Sequence, residues 1–271
     1  PPRTSIPYPA ISARINSAYH ESLHSWITHN MDRSQSPVSS APAHISDLFD
    51  QWASTDRAQK MATGHQPLIE ALLADLAPTI NPQACLLDLG CGTGAFLAQA
   101  AKAGFRRTCG IDAAAKMIAT AQDNAPDAEL QIGSFTDLPW PSSSFSHVIT
   151  IEALYYCAQP LTALQEVARV LSSGGRFDLI IDYYQDSSGT ASWPEGLGFE
   201  ITCLSAEQWT ALATDAGLEA LQTRRILRPQ AEPDPNHWEP TVWFPTLESY
   251  RTYLKDGALW ITGYGPAAQP R

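Results

Sequence analysis

Residues 86 to 94 read Leu-Leu-Asp-Leu-Gly-Cys-Gly-Thr-Gly, an apolar segment that runs into an acid, Asp88, and three glycines at alternate positions. Gly90, Gly92 and Gly94 lack side chains where a backbone must turn tightly and where a ligand must approach it closely. Glycine-rich loops of this kind join a strand to a helix in nucleotide-binding α/β folds. The stretch therefore predicts a strand, a ligand-binding loop and a helix, in that order.

The glycines alone leave two kinds of ligand open. The pattern from Gly90 through Gly92 to Ala95 also satisfies the relaxed dinucleotide fingerprint, in which the helix N-terminus faces a pyrophosphate. A further observation is the position of two acids. Asp88 stands two residues before the first glycine, and Asp112 follows 24 positions later, at the end of another apolar segment.

With Asp88 included, the loop resembles the first motif of the class I S-adenosylmethionine-dependent methyltransferases, which has the form acid-x-Gly-x-Gly-x-Gly. The small-molecule methyltransferases of type 11 are the nearest group. Later motifs of this family are matched in the same order by segments 112–117, 133–140, 145–150 and 164–176. The resemblance implies an α/β fold with a Rossmann-like, doubly wound, seven-stranded sheet. That sheet would be mostly parallel, with an antiparallel last strand at 258–262 and helices before the first strand.

The resemblance also implies a site for S-adenosylmethionine, with S-adenosylhomocysteine as the product. Asp112 would bind both ribose hydroxyls, Asp88 would orient the loop and meet the ammonium group, and Met117 would pack by the adenosine. Many relatives carry Asp where this chain has Ser134, so the adenine amino group would be bonded more weakly. The implied cofactor-binding residues are Asp88, Gly90, Cys91, Gly92, Gly94, Asp112, Ala113, Met117, Ser134, Phe135 and Ile151.

The acceptor is expected at the carboxyl ends of strands four and five, because open α/β sheets bind their ligands there. Glu152 follows strand four directly and is followed by two tyrosines. The candidate catalytic residues are His65, Glu152 and Tyr156, and His237 is a further candidate base. An acceptor that is already nucleophilic would need no base.

Short helices are expected over 46–52 and 56–76, the last of them beginning near Pro67, because a proline in the first turn removes no needed N–H. Arg57, Met61 and His65 are spaced one helical turn apart. This spacing predicts that they share one face, which either points toward the sulfonium or the acceptor or belongs to a capped helix that packs on strand four.

The chain divides into an N-terminal helix with a Pro- and Ser-rich linker, 1–44, and a methyltransferase domain, 45–271. Two segments rich in Gly, Pro and aromatic residues, about 184–204 and 229–245, are interpreted as lid-like insertions. With 271 residues, of which 44% are hydrophobic, the chain can bury a substantial core.

The net charge indicates which class of substrate the chain binds, and the cysteines indicate its cellular compartment. A net charge of −11 with only 17 Lys and Arg disfavours a nucleic-acid substrate and favours a small molecule. Five cysteines without a C-x-x-C pair favour free thiols in a reducing, cytoplasmic compartment. The chain contains no run of 18 apolar residues, so we expect no membrane partner. The pattern does not indicate an oligomeric state.

The segment from His20 to His24 matches H-E-x-x-H, a zinc-binding spacing on a helix. A catalytic zinc needs a third protein ligand, and Ile27 and Asn30 occupy the positions where the longer motif requires Gly and His. We therefore expect no metal at this segment.

Two other functions remain as alternatives. An NAD(P)-dependent oxidoreductase is permitted by Ala95 and Asp112, although the chain has no Tyr-x-x-x-Lys pair. A noncatalytic S-adenosylmethionine-binding protein is permitted because a fold does not fix a function.

Overall fold

The computed structural model of the protein describes residues 41–81, 83–228 and 233–266. The predicted helix of the N-terminal segment, the H-E-x-x-H stretch at 20–24 and part of the second lid-like segment lie outside these ranges. The first described helix begins at Ala41, inside the predicted linker, and Pro42 suits its first turn.

Within the described ranges, seven strands form one sheet in the order β3-β2-β1-β4-β5-β7-β6. All neighbouring pairs from β3 to β5 are parallel, and β7 is antiparallel to both β5 and β6. This confirms the predicted doubly wound sheet. The strands are β1 (Cys85–Leu89), β2 (Arg107–Asp112), β3 (Glu129–Ile132), β4 (Phe145–Ile151), β5 (Leu171–Ile181), β6 (Glu219–Ile226) and β7 (Ala258–Tyr264).

Helices precede the sheet and cover both of its faces. In chain order they are α1 (Ala41–Ala53), α2 (Asp56–Leu76), α3 (Ala95–Ala103), α4 (Ala115–Asn124), α5 (Pro160–Val170), α6 (Trp193–Leu197), α7 (Ala206–Asp215) and α8 (Leu247–Asp256). Because helices lie on both faces, β1 is buried along its whole length, and four of its five residues are apolar, with Asp88 the exception. None of the helices in the described ranges is long and apolar enough to cross a membrane.

The prediction that a new helix begins near Pro67 is wrong, because α2 continues through Pro67 from Asp56 to Leu76. Proline costs a helix one internal hydrogen bond and a ring clash, about 3 kcal/mol. The turns after Pro67 bury Leu68 and Leu72 against the sheet, and burial of each such side chain is worth about 1.5–3 kcal/mol. Tertiary packing therefore outweighs the local rule.

A buried ion pair fixes the register of the antiparallel half of the sheet. Asp178 of β5 is fully buried and accepts hydrogen bonds from Arg176, from Trp260 Nε1 at 2.7 Å and from Thr262 Oγ1 at 2.8 Å. Arg176 in turn reaches Asp75 of α2 at 2.6 Å. These bonds tie β5, β7 and α2 together.

The strand order reverses between β1 and β4, since β2 and β3 lie on one side of β1 and β5 lies beyond β4. At such a switch point the loops leave the sheet on opposite faces and open a crevice at the carboxyl ends of the strands. The glycine loop follows β1 and Glu152 follows β4, so both lie at this crevice.

Candidate active site

The glycine loop between β1 and α3 is held against the end of β2. The backbone N–H groups of Gly90 and Cys91 both donate to the carbonyl of Ile111, at 2.8 and 3.1 Å. Gly90 has a φ of +76°, and a Cβ built there would lie 2.3 Å from the Cβ of Ala153. Only glycine fits this position, because the loop after β1 touches the segment after β4.

Asp112, at the end of β2, holds the middle of the loop. Its Oδ2 accepts from the N–H of Gly92 and its Oδ1 accepts from the N–H of Ala114, each at 2.9 Å. Burial raises the pKa of this carboxyl above its ordinary value. Gly92 has a φ of +49°, and a Cβ built on it would meet no atom within 4 Å among the described residues. The loop is therefore open to a ligand at Gly92.

Asp88 lies beneath the loop and is 3% exposed. No N–H or O–H group in the described ranges donates to its carboxylate. Burial first, and the charge of Asp112 second, raise its pKa to about 8. A buried carboxyl group without a donor and beside a second acid fits a cationic ligand, because a positive charge nearby would restore its ionised form.

The other residues implied for the cofactor surround the same loop. Phe135 lies against it, since its ring would be 3.3 Å from a Cβ at Gly90. Met117 is 1% exposed and packs with Ala58 and Ala114. The hydroxyl of Ser134 accepts a bond from the N–H of its neighbour Thr136 at 3.2 Å.

Cys91 is buried within the loop, Gly94 caps α3, Ala113 follows Asp112, and Ile151 ends β4. Contact between this whole set and a donor stays a prediction.

A cavity of about 250 Å³ lies beside the loop, at the carboxyl ends of β4 and β5. All three predicted catalytic residues line it, and so does the predicted face of α2. Its walls are Phe49, Trp52, Arg57, Met61, Gly64, His65, Glu152, Tyr155, Tyr156, Asp182, Trp193, Leu197, Arg228, Trp243, Phe244 and Tyr253. Both predicted lid-like segments therefore contribute aromatic side chains to this cavity.

Glu152 is held rigidly at one side of the cavity. It has a φ of +56°, a left-handed conformation that a non-glycine residue adopts at a cost of about 1–3 kcal/mol and that clusters at functional sites. One carboxyl oxygen accepts from the N–H of Asp182, and the other accepts from the hydroxyl of Tyr155 at 3.0 Å. Burial, and then the charge of Asp182, raise the pKa of Glu152 well above its ordinary value.

Asp182 carries the charged part of this wall. It forms a two-pronged ion pair with Arg228, at 2.8 and 2.5 Å, and accepts from the hydroxyl of Tyr253 at 3.0 Å. The sequence did not indicate Arg228 or Tyr253 as site residues. The available signal in the sequence was an arginine two positions after the end of β6.

The two candidate histidines have different surroundings. Burial lowers the pKa of His65 to about 4, so its imidazole is neutral near pH 7 and able to accept a proton. His237 does not line the cavity: its side chain is 84% exposed and pairs with Asp234 at 2.6 Å. We therefore withdraw His237 as a candidate base, because it lies on an exposed turn of Pro235–His237.

The loop and its acids fit S-adenosylmethionine. Asp88 suits a cationic group, Asp112 presents carboxylate oxygens at the end of β2, and Gly92 leaves space for close approach. Among the described residues, no group of three His, Cys, Asp or Glu side chains is arranged to hold a metal ion.

Comparisons with known proteins agree with this geometry. Residues 87–179 match a family model described as a methyltransferase domain. An O-methyltransferase of Penicillium expansum is 30% identical over 160 residues, which cover 54% of this chain and 57% of that protein. The chain spans 22% to 57% of the length of the first three curated relatives that it matches.

Two solved structures share the fold. A chain in the complex between the Haloferax volcanii Trm112 methyltransferase activator and a proposed methyltransferase is 29% identical, with a TM-score of 0.74. The similarity covers 80% of this chain and 97% of that one. The geranyl diphosphate C-methyltransferase of Streptomyces coelicolor A3(2), solved with S-adenosylhomocysteine, has a TM-score of 0.62 at 13% identity and covers 86% and 100% of the two chains.

The sheet order and the acid-flanked glycine loop define a class I α/β domain for a nucleoside-bearing donor. These matches identify a methyltransferase domain over residues 87–179, and the chain is similar to class I S-adenosylmethionine-dependent methyltransferases.

Proposed function

We propose that the chain methylates a small-molecule acceptor bound in the aromatic cavity. The observation that carries this proposal is the contact between the two halves of the site. Gly90 of the donor loop packs against Ala153, whose neighbour Glu152 lines the cavity. A donor in the loop and an acceptor in the cavity would then lie side by side.

Bound S-adenosylmethionine would supply an electrophilic methyl group for an in-line displacement at the acceptor. The protein would contribute alignment of the two molecules and exclusion of water. The ring contacts between Trp193 and Phe244, and between Phe244 and Tyr253, support such a closed wall. The acceptor atom would be an oxygen, a nitrogen or a carbon.

Within this proposal the three candidate catalytic residues have different roles. His65 removes the acceptor proton, since its lowered pKa keeps the imidazole neutral. Glu152 acts as a positioning residue, because burial favours its neutral form and both of its oxygens are already bonded. Tyr156 contributes a ring to the wall, where it packs edge-to-face on Phe49 of α1 at 5.0 Å.

A small acceptor is further supported by the net charge of −11, which disfavours a polyphosphate partner. The cavity volume of about 250 Å³ lies just below the usual range for drug-sized ligands. The cysteines Cys85, Cys91, Cys109, Cys157 and Cys203 are all free thiols, which supports a cytoplasmic location.

The test is turnover. The protein is incubated with S-adenosylmethionine and a panel of phenols, amines, enols and carboxylic acids, and release of S-adenosylhomocysteine is measured. Asp112→Ala is expected to weaken donor binding and turnover, whereas Asp123→Ala, an exposed acid on α4, leaves both unchanged. Donor binding without turnover on any acceptor would favour the noncatalytic alternative, and equal behaviour of the two variants would remove the ribose role from Asp112.

A further inference from the structure

Arg57 is a cation built into the wall of the cavity. It lies in the first turn of α2, after the capping residue Thr55. Its guanidinium carbon is 3.9 Å from the ring centre of Trp52 and 4.6 Å from that of Trp243. Two indole faces therefore hold the guanidinium in place and keep water from much of its surface.

This guanidinium has no carboxylate partner among the described residues. Its Nε is buried and donates to no acceptor in those ranges. Burial lowers the pKa of Arg57 below its ordinary value, as expected for a cation without a counter-ion. The contrast is clear, because five other arginines each lie 2.5 to 3.9 Å from a carboxylate, namely Arg169, Arg176, Arg224, Arg225 and Arg228.

The other ionisable side chains of the cavity leave no net charge, because they are either paired or favoured in their neutral forms. Arg228 is neutralised by Asp182 in the two-pronged pair. Burial favours the neutral forms of Glu152 and His65. One positive charge, that of Arg57, is thus left without a partner in a partly desolvated site.

A second donor in the same wall is also free. The indole Nε1 of Trp193 is buried and has no hydrogen-bond partner in the described ranges. Buried N–H groups are nearly always bonded in folded proteins, so this indole is a candidate donor to a ligand of the cavity. Aromatic rings make up most of the rest of the lining, including Phe49, Tyr156 and Phe244.

We propose that the acceptor is a monoanionic carboxylic acid on an aromatic or hydrocarbon skeleton, with its carboxylate paired to Arg57 and its apolar part between the aromatic walls. A guanidinium binds a carboxylate through two parallel hydrogen bonds, and the buried Nε is one available donor. A diphosphate is disfavoured, because its several negative charges would face a single uncompensated cation. This inference rests on the proposed function and adds the substrate class to it.

The experiment compares acids with their uncharged counterparts. The protein is saturated with S-adenosylhomocysteine and titrated with salicylate, 4-hydroxybenzoate, indole-3-acetate and dodecanoate, each beside its methyl ester. We expect at least one acid to bind about tenfold or more tightly than its ester, as a charge-assisted hydrogen bond of about 1.5–3 kcal/mol requires.

Three variants locate the effect. In Arg57→Gln the preference for the acid should fall to less than about threefold, and Arg57→Lys should keep part of it, because the charge remains without the fork of donors. Arg106→Gln, an exposed arginine before β2, should behave as wild type. Titration of each variant with S-adenosylhomocysteine alone checks that the donor site is intact.

Acid preference that survives in Arg57→Gln overturns the inference, as does equal binding of acids and esters or failure of every acid to bind. These results are separable from failure of the proposed function. Absent donor binding and absent turnover would refute the methyltransferase activity. Intact donor binding with methylation of neutral acceptors would refute only the assignment of an acid.

Discussion

Replacing Gly92 by alanine gives a sharp test of the donor loop. Gly92 has a φ of +49°, its N–H bonds to Asp112, and a Cβ built there meets no atom within 4 Å in the described ranges. The added methyl group would therefore enter the space in which the donor is expected. Gly90 is a poorer choice, because a Cβ there would lie 2.3 Å from Ala153 and would disturb the fold itself.

The expected magnitudes follow from this geometry. An L-residue in the left-handed region costs about 1–2 kcal/mol. The stiffer unfolded chain offsets about 0.4–1 kcal/mol of this cost. The free energy of unfolding should then fall by about 1 kcal/mol, which lowers Tm by about 2–4 °C in a domain of this size. Overpacking of the donor site should cost a further 1–3 kcal/mol of binding, or about 5- to 150-fold in Kd.

Gly174→Ala is the matched control. Gly174 also has a positive φ, +66°, and an open Cβ direction, but it lies near the amino end of β5, at the opposite edge of the sheet. Both variants should show the same small loss of Tm by calorimetry. Only Gly92→Ala should lose affinity for S-adenosylhomocysteine in an isothermal titration. Equal affinity in the two variants would show that the donor does not approach Gly92.

Two further predictions concern protons. Because the pKa of Asp88 is about 8 and the ammonium group of the ligand would ionise it, binding of S-adenosylhomocysteine at pH 7 should release about one proton, measured from titrations in buffers of different ionisation enthalpy. Binding to Asp88→Asn should release no proton. If binding to the wild-type protein took up protons, or released none, the role of this acid would be refuted. If His65 is the base, His65→Asn should lower kcat about 10²-fold or more and leave donor affinity unchanged. In the wild-type protein, kcat/KM should be lost as the pH falls through about 4, because the imidazole is then protonated. Glu152→Gln should keep most of kcat, and a loss as large as that of His65→Asn would assign the proton transfer to Glu152 instead.

The parts of the structure that the sequence predicted are those specified by short-range patterns. The strand from Cys85 to Leu89 is apolar except for Asp88, and the glycines after it mark a turn that few other residues allow. The shared face of α2 followed from helical spacing alone, and the structure adds that Arg57 and His65 both line the cavity.

The parts that could not be predicted depend on contacts between distant segments. Arg228 meets Asp182 across 46 positions, and Tyr253 meets it across 71, only after β6 and α8 return to the carboxyl ends of the strands. Pro67 misled because the burial of residues beyond it is not visible in the local rule. His237 misled because a residue type carries no information about its exposure.

The central claim is that the loop from Asp88 to Gly94 binds S-adenosylmethionine. The most direct measurement is a parallel calorimetric titration of the protein with S-adenosylmethionine and with NAD. The account predicts saturable binding of S-adenosylmethionine at one site per chain and no measurable binding of NAD. Tight binding of NAD without binding of S-adenosylmethionine would contradict it.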